Sequence, residues 1–241
     1  MKKPFGKIVS ASICMAIVAG FSAKVSATGV TVTDVTDWSG EGAQVVDLNL
    51  PYLGYSGGIW DGINTLQITE GPTTSTVSGF CIDPFHFSLG GPQAYNTIAL
   101  ASAPKYPGPM GAATAKEIEE LWTEYFPTAE TTPTVAAGLQ VAIWELVVDA
   151  AAAANGETPS YYMTVIGNDY GAAADIAWVD AYGSTVAPAD LIAVTGPGQD
   201  YVIPGPPSPY PQVPDGGTTL VFLGSALAGL QGLRAKFGCS R

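Results

Sequence analysis

The apolar residues of this 241-residue chain change their spacing twice, and this change restricts the fold more than any other feature. Residues 28–87 contain short β-rich runs separated by glycine, proline, asparagine and aspartate, whereas residues 114–183 carry apolar residues at helical spacing. Short strand-like runs return at 191–203. Strands and helices segregated in this way are typical of α+β proteins. The sequence therefore predicts an α+β fold, an antiparallel β-barrel or sandwich with an inserted helical segment.

Turn and capping residues set the expected boundaries of these elements. Ser56-Gly57-Gly58 and Gly71-Pro72 are typical of turns between strands. Thr114 and Glu117 have the spacing of a capping box and predict the start of the first helix. Thr132-Pro133 predicts the start of a second, long helix. The remaining predicted elements are strands at 30–35, 43–50, 66–69, 75–82, 191–195 and 200–203 and a helix at 170–182.

The first 27 residues have the three parts of a secretory signal peptide. Lys2, Lys3 and Lys7 precede an apolar stretch at 8–21, and small residues at 25–27 provide a cleavage position. We therefore expect the signal peptide 1–27 to be removed on export. The mature chain then begins at residue 28.

The C-terminal end contains a second apolar segment, 219–233, followed by Arg234, Lys236 and Arg241. At the helical rise of about 1.5 Å per residue it is about 22 Å long, shorter than the roughly 30 Å core of a bilayer. A short span with a basic flank is typical of a stop-transfer element whose tail stays in the cytoplasm. We expect the mature protein to contact a membrane only through this transmembrane segment.

Val213, Pro214, Asp215 and Gly216 stand directly before this span and complete a three-part pattern of motif, span and basic tail. The pattern at 213–241 resembles the C-terminal sorting signals of exosortase systems, in the variant that begins Val-Pro-Asp. The resemblance implies a Gram-negative bacterium and an exosortase-like processing enzyme that cleaves near Pro214. It also implies an inner-membrane intermediate that is then passed to the cell surface or the extracellular matrix.

A proline-rich linker is expected between the folded domain and this signal. Residues 204–214 contain six prolines, which favour an extended backbone. At a polyproline rise of about 3.1 Å per residue, the linker is about 34 Å long. The expected domain is therefore 28–203, held clear of its anchor by a stiff spacer.

Between the two processed ends the chain is strongly acidic. Residues 28–214 contain twenty aspartate and glutamate residues and only two basic residues, Lys105 and Lys116, so their formal net charge is −18. A surface of this sign repels nucleic acid and anionic membranes. Nucleic acid is therefore excluded as a partner, and the acidity is typical of a device that keeps an exported protein soluble.

Cys81 is the only cysteine left once both ends are removed, because Cys14 lies in the signal peptide and Cys239 in the C-terminal tail. Unpaired cysteines are unusual in exported proteins, since oxidising conditions favour disulfides. Taken alone, such a cysteine is either a small apolar core residue or a reactive group. Gln140 raises a similar question, because it lies in the apolar helical run at 139–144 and a buried carboxamide without partners costs about 1–3 kcal/mol.

The segments around these two residues resemble the paired motifs of bacterial thioester domains, which lie at the tips of surface adhesins. Residues 80–83 read Phe-Cys-Ile-Asp, and residues 139–144 read Leu-Gln-Val-Ala-Ile-Trp. In that family a glutamine heads a Gln-x-Ala-Ile-Trp helix and forms an internal thioester with the cysteine. The resemblance therefore assigns the thioester to Cys81 and Gln140. The supporting residues are Phe80, Asp83, Ile143 and Trp144.

The function that this resemblance implies is covalent capture. The Cys81 thiol attacks the Gln140 carboxamide with loss of ammonia, and a partner amine later displaces the thiol and stays attached to Gln140. Each molecule reacts once, so the chain is not expected to be an enzyme, and neither a cofactor nor a metal is expected. The expected partner is a surface or matrix molecule bearing an amine. His86, the only histidine, is a candidate proton shuttle because imidazole titrates near neutral pH.

Two other functions remain open on the sequence. If Cys81 and Gln140 are packing residues only, the protein is a non-covalent structural component of an extracellular polysaccharide matrix. If Cys81 is a nucleophile and His86 its base, the protein is a cysteine hydrolase, although no cysteine-peptidase signature surrounds Cys81. The mass of the intact protein separates these functions, because only a thioester lowers it by one ammonia.

Overall fold

The computed structural model describes residues 28–37 and 44–206. The predicted signal peptide, most of the proline-rich linker and the sorting signal with its transmembrane segment lie outside these residues. Within them the chain has the α+β architecture that the sequence predicts.

The described residues form nine strands. They are β1 (Thr28–Asp34), β2 (Gln44–Leu50), β3 (Tyr55–Asp61), β4 (Asn64–Glu70), β5 (Thr73–Cys81), β6 (Gln93–Ala99), β7 (Thr164–Ile166), β8 (Leu191–Thr195) and β9 (Tyr201–Pro204). Six of them close into an antiparallel barrel in the order β1-β4-β5-β9-β8-β6. Of the two sheet architectures that the sequence leaves open, the structure therefore confirms the barrel.

The other three strands form a separate sheet in the order β3-β2-β7, which the sequence does not predict. The turn predicted at Ser56-Gly57-Gly58 is wrong, because these residues lie inside β3 and pair with β2. A Cβ atom on Gly58 would lie 2.6 Å from Cγ1 of Val45, so this glycine permits close packing within the sheet. The turn predicted at Gly71-Pro72 is confirmed, and it connects β4 to β5.

The described chain has four α-helices. They are α1 (Gly111–Ala129), α2 (Pro133–Asn155), α3 (Pro159–Tyr162) and α4 (Ala172–Tyr182). The capping box predicted at Thr114 and Glu117 is wrong, because α1 begins at Gly111 and no side chain caps it. Burial of Met110 fixes the chain before Thr114, so the helix starts earlier than the polar residues indicate. The start of α2 at Thr132-Pro133 is confirmed.

The core is built around α2, which contacts α1 and α4 and also β2, β3 and β5. Its length and composition would allow it to cross a membrane, but 78% of its most apolar stretch is buried inside the domain. It is therefore a core helix. Its path through the domain brings residues 139–144 against the end of β5.

Candidate functional site

Cys81 lies where β5 continues beyond its neighbour β4. The ladder between these two strands ends at the pair Asn64 and Gly79, two residues before Cys81. On its other side β5 pairs with β9, and just beyond it Ile82 N–H donates to Asp200 O. Neighbouring residues of an antiparallel ladder direct their backbone groups to opposite sides. The N–H and C=O of Cys81 therefore face the side that β4 leaves open.

The carboxamide of Gln140 fills this open edge. Its Oε1 accepts a hydrogen bond from Cys81 N–H at 2.8 Å, and its Nε2 donates to Cys81 O at 2.6 Å. The side chain thus makes the two hydrogen bonds that another strand would make there. Gln140 is 1% exposed, so the protein itself satisfies both of its polar groups. The pairing joins the two residues of the predicted thioester through the backbone of Cys81.

Apolar side chains of α2 surround this contact. Ile143 and Trp144 follow Gln140 at the three- and four-residue spacing of one helix face, and both are buried. The indole N–H of Trp144 has no hydrogen-bond partner of ordinary geometry, but it is close enough to Cys81 to lower the pKa of its thiol. These side chains keep bulk water from the contact between Cys81 and Gln140.

The backbone of Asp83 holds the thiol of Cys81. Sγ donates to Asp83 O at 3.1 Å and accepts from Asp83 N–H at 3.3 Å. Burial raises the pKa of the Cys81 thiol well above its usual value, and the negative charge of Asp83 raises it further. The Trp144 indole and the Asp83 backbone N–H act in the opposite direction. At pH 7 the cysteine is therefore a neutral thiol that needs a base before it acts as a nucleophile.

Asp83 connects this buried thiol to the surface through His86. Its Oδ2 lies 2.6 Å from Nδ1 of His86, and its Oδ1 accepts from Phe85 N–H at 3.0 Å. The Asp83 side chain is 2% exposed, whereas that of His86 is 50% exposed. Burial raises the pKa of Asp83 to about 6, although its hydrogen bond and charge interaction with His86 act in the opposite direction. The candidate proton shuttle thus contacts the carboxylate of Asp83, whereas the thiol contacts the backbone of the same residue.

Phe80 supports the site from the other side of β5. Its ring packs edge-on against the rings of Trp122 at 5.5 Å and Phe126 at 6.2 Å, both on α1. Successive side chains of a strand point to opposite faces, so Phe80 and Cys81 project in opposite directions. Phe80 therefore ties β5 to α1, while the side chains of α2 cover Cys81.

The sequence does not single out two residues that complete these surroundings, Asp200 directly before β9 and Tyr201 at its start. Asp200 is 1% exposed, and its carboxylate accepts from the backbone N–H groups of Lys105 at 2.7 Å and Gly196 at 3.0 Å. Tyr201 is also 1% exposed and lies opposite Cys81 in the ladder. Asp200 opens the predicted strand 200–203. Because aspartate is unfavourable in strands, its presence there indicates that its carboxylate has partners.

The polar groups around Cys81 are directed to one another. Among residues 28–37 and 44–206, no group of three or more His, Cys, Asp or Glu side chains is placed to hold a metal ion. The oxygens of Asp83 face His86 and Phe85, and those of Asp200 face backbone N–H groups. The chemistry that this arrangement allows is acyl transfer between a thiol and a carboxamide.

Comparison with known proteins identifies the end of the chain. Residues 212–237 match the VPDSG-CTERM motif, and Gly216 stands where the name of this motif has a serine. The match confirms the predicted C-terminal sorting signal, indicates an exported surface protein and implies a processing enzyme of the exosortase or sortase type. No curated protein and no solved structure matches the chain significantly. The thioester assignment of Cys81 and Gln140 stays a prediction.

Proposed function

We propose that this exported protein captures an amine-bearing partner covalently through an internal thioester between Cys81 and Gln140. The observation that carries the proposal is the double hydrogen bond between the Gln140 carboxamide and the Cys81 backbone. Groups held together in this way react with effective molarities that reach roughly 10⁵ M or more. Side chains leave a strand roughly perpendicular to its hydrogen bonds, so in this proposal the thiol approaches the amide from one face, the side from which a carbonyl carbon is attacked.

Thioester formation at this contact needs no further reagent. The Cys81 sulfur bonds to Cδ of Gln140, the C–N bond breaks, and the nitrogen leaves with the thiol proton as ammonia. Negative charge develops on Oε1, which already accepts from Cys81 N–H at 2.8 Å. The leaving nitrogen is the atom that donates to Cys81 O at 2.6 Å, so its hydrogen atoms have an acceptor during the step.

Asp83 and His86 supply a path for the thiol proton. With a pKa of about 6, the Asp83 carboxyl is mostly ionised at pH 7, and its backbone groups hold Sγ. His86 Nδ1 lies 2.6 Å from Asp83 Oδ2 and its ring reaches solvent. In this proposal His86 is the shuttle that takes up the thiol proton and returns a proton to the leaving nitrogen, and the Asp83 carboxylate orients its ring.

Capture uses the same carbonyl carbon a second time. The partner amine attacks Cδ of Gln140, the C–S bond breaks, Cys81 takes up the amine proton, and a stable amide bond remains. Each molecule reacts once, so the protein acts in adhesion or matrix attachment and not as an enzyme. Lys105 and Lys116 are the lysines of the described domain, and Lys116 forms an ion pair with Glu120, which limits attack from within the chain.

The intact mass of the purified exported protein tests this function. We expect a mass one ammonia below that of the processed sequence, and methylamine should add to the protein and release the Cys81 thiol, which is then alkylated in the unfolded protein. The Cys81→Ala variant should show neither the deficit nor the adduct. A wild-type protein with the full mass and no methylamine adduct excludes the thioester.

A second candidate is a non-covalent structural component of an extracellular polysaccharide matrix. The pairing of Gln140 with Cys81 also favours it, because a carboxamide with both hydrogen bonds made stabilises the edge of β5 without reacting. In that case Cys81 alkylates only when the protein unfolds. The cysteine hydrolase has weaker support, since the hydrogen bonds of Cys81 Sγ go to the backbone of Asp83 and not to the His86 ring. This function requires a substrate whose turnover is lost in the Cys81→Ala variant.

For the export route, we propose an inner-membrane intermediate in a Gram-negative cell, cleavage near Pro214 and a final location on the cell surface or in the extracellular matrix. The motif match at 212–237 supports this route. Peptide mapping of the exported chain should find its C-terminus close to Pro214. A mature protein that keeps the basic tail 234–241 would overturn the cleavage step.

A further inference from the structure

A cleft of about 320 Å³ lies beside the loop that follows Cys81. It is lined by His86 and Phe87 of this loop, by Tyr55, Ile59 and Trp60 of β3, and by Asp34 at the end of β1. Trp60 is 55% exposed and Phe87 is 69% exposed, so two large aromatic side chains face solvent here. Aromatic side chains grouped around a concave site are typical of ligand binding. The thioester step leaves this cleft without a role.

The cleft combines apolar walls with a negative charge. Asp34 accepts from the backbone N–H and the hydroxyl of Thr36 through Oδ1, and its Oδ2 lies 3.4 Å from the Tyr201 hydroxyl. Lys105 and Lys116, the lysines of the described domain, do not line the cleft. Aromatic faces and a carboxylate attract a cation, and apolar walls accept an alkyl chain. The net negative charge of the domain repels an anionic ligand in the same place.

The cleft is also close to the proposed reaction centre. Pro84 and His86 line it, and they follow Cys81 by three and five residues. His86 is hydrogen-bonded to Asp83, whose backbone holds the Cys81 thiol. On the other side the cleft is lined by Gln199, two residues before the partner of Cys81 in the β5–β9 ladder. A group bound here therefore lies against the loop that covers the thiol.

We propose that this cleft docks a primary alkylammonium group, of the kind that ends a lysine side chain, on the partner molecule. The alkyl chain packs on Ile59 and the aromatic rings, and the ammonium group lies between Trp60 and Asp34. This inference rests on the proposed thioester function, because docking would concentrate the amine beside the loop that follows Cys81. The docking step itself is reversible and selects long amines over methylamine, which is too short to reach both the apolar wall and Asp34.

Reversible binding to the full-length Cys81→Ala protein tests the docking site, since this variant cannot form a thioester. The probe is Nα-acetyl-lysine methylamide. Its norleucine analogue has a similar alkyl chain without the ammonium group, and cellotriose serves as a neutral sugar. Saturation-transfer NMR should detect binding of the lysine compound alone. In the same background, Asp34→Asn should weaken binding about tenfold and Trp60→Ala about threefold.

The variants are chosen so that the fold is retained. Asparagine keeps an oxygen acceptor for Thr36, and Trp60 is largely exposed. As matched controls, Asp180→Asn and Tyr182→Ala remove an exposed carboxylate and an exposed ring from α4 and should leave the affinity unchanged.

Several results would overturn the docking site. These are no binding of the lysine compound, equal binding of the norleucine analogue, binding of cellotriose in its place, or no effect of Asp34→Asn. The ammonia deficit of the wild-type protein is measured separately. A deficit without binding overturns the docking site and leaves the thioester, whereas binding without a deficit overturns the thioester and shows that the cleft recognises the amine by itself.

Discussion

Gln140 and Asp61 are both polar side chains with 1% exposure, but their surroundings differ completely. Gln140 uses both of its polar groups to complete the edge of β5. Neither carboxyl oxygen of Asp61, the last residue of β3, has a hydrogen-bond partner. A buried polar group with its bonds made stabilises one arrangement, whereas one without partners destabilises the fold. The comparison separates a side chain that the fold requires from one that it only tolerates.

The largest expected effect is the loss of Gln140 in a Cys81→Ala background, where no thioester contributes to stability. Gln140→Ala leaves the backbone N–H and C=O of residue 81 buried without partners and opens a cavity in the core. Urea unfolding should show a loss of about 3 kcal/mol. Gln140→Glu is the matched control, because a protonated carboxyl has one acceptor and one donor in the same places. Its stability should approach that of glutamine at pH 4 and fall as the pH rises.

A small effect of Gln140→Ala, below about 1 kcal/mol, would contradict the comparison, because it falls under the typical cost of an unsatisfied buried group. Gln140 would then be tolerated in the same way as Asp61. A Gln140→Glu variant with no recovery in acid would show that the two backbone bonds are not what holds this side chain.

The second effect concerns the opposite edge of β5, where this strand packs closely on β9. A Cβ atom on Gly79 would lie 2.7 Å from Val202 O and 2.9 Å from Cγ2 of Ile203, both on β9. Gly79→Ala should therefore push β5 away from β9 and destabilise the protein by about 2 kcal/mol. Gly29→Ala in β1 is the control, since nothing lies within 4 Å of its added Cβ. Thermal unfolding of both variants measures the difference, and equal midpoints would contradict close packing at Gly79.

The sequence predicts those parts of the fold that depend on local pattern. The runs at 30–35, 43–50, 66–69 and 75–82 lie in or overlap β1, β2, β4 and β5, and α2 begins where Thr132-Pro133 indicates. β3 is missed because its two glycines resemble a turn. The closure of the barrel through the pairing of β1 with β6 joins residues more than sixty positions apart, and no local pattern specifies such a register.

The candidate site likewise has one part that the sequence predicts and another that it does not. The order of two short motifs is enough to propose that Cys81 and Gln140 meet, and the spacing of Asp83 and His86 is enough to place them in one loop. The edge left open by β4 depends on where two strands stop pairing, which the sequence does not show. Asp61 could not be found either, because its lack of partners results from the packing of the whole domain.

Asp61 itself gives the third prediction, with the opposite sign to the loss of Gln140. Burial raises the pKa of Asp61 well above its usual value, and the nearby Gly62 N–H, which lacks hydrogen-bond geometry, opposes this shift only in part. Because the folded state favours the protonated acid, ionisation at higher pH destabilises the fold. Asp61→Asn should therefore stabilise the protein by about 1 kcal/mol at pH 8 and by less at pH 4. Urea unfolding at both pH values measures this gain.

The matched control for Asp61→Asn is Asp47→Asn on β2, where the side chain is exposed. It should change the stability little, because an exposed side chain is solvated in both the folded and the unfolded chain. If Asp61→Asn destabilises the protein at pH 8, the carboxyl has a role that asparagine cannot fill, and Asp61 belongs with Gln140 among the required side chains.

The smallest expected effect is the contribution of partly buried carboxyls to the pH dependence of stability. Burial raises the pKa of Asp83 and Asp175 to about 6 and that of Glu119 to about 7. The folded chain therefore holds protons that the unfolded chain has already released, so stability is highest near pH 4 and falls as the pH rises to about 7. Solvent screens Asp175 and Glu119, which keeps each contribution below that of Asp61.

Urea unfolding at constant ionic strength should show this decline in stability, and Asp175→Asn should flatten the part of the decline at lower pH. A stability that instead rises from pH 4 to 7 would mean that these carboxylates are stabilised by partners, as Gln140 is, and not merely tolerated.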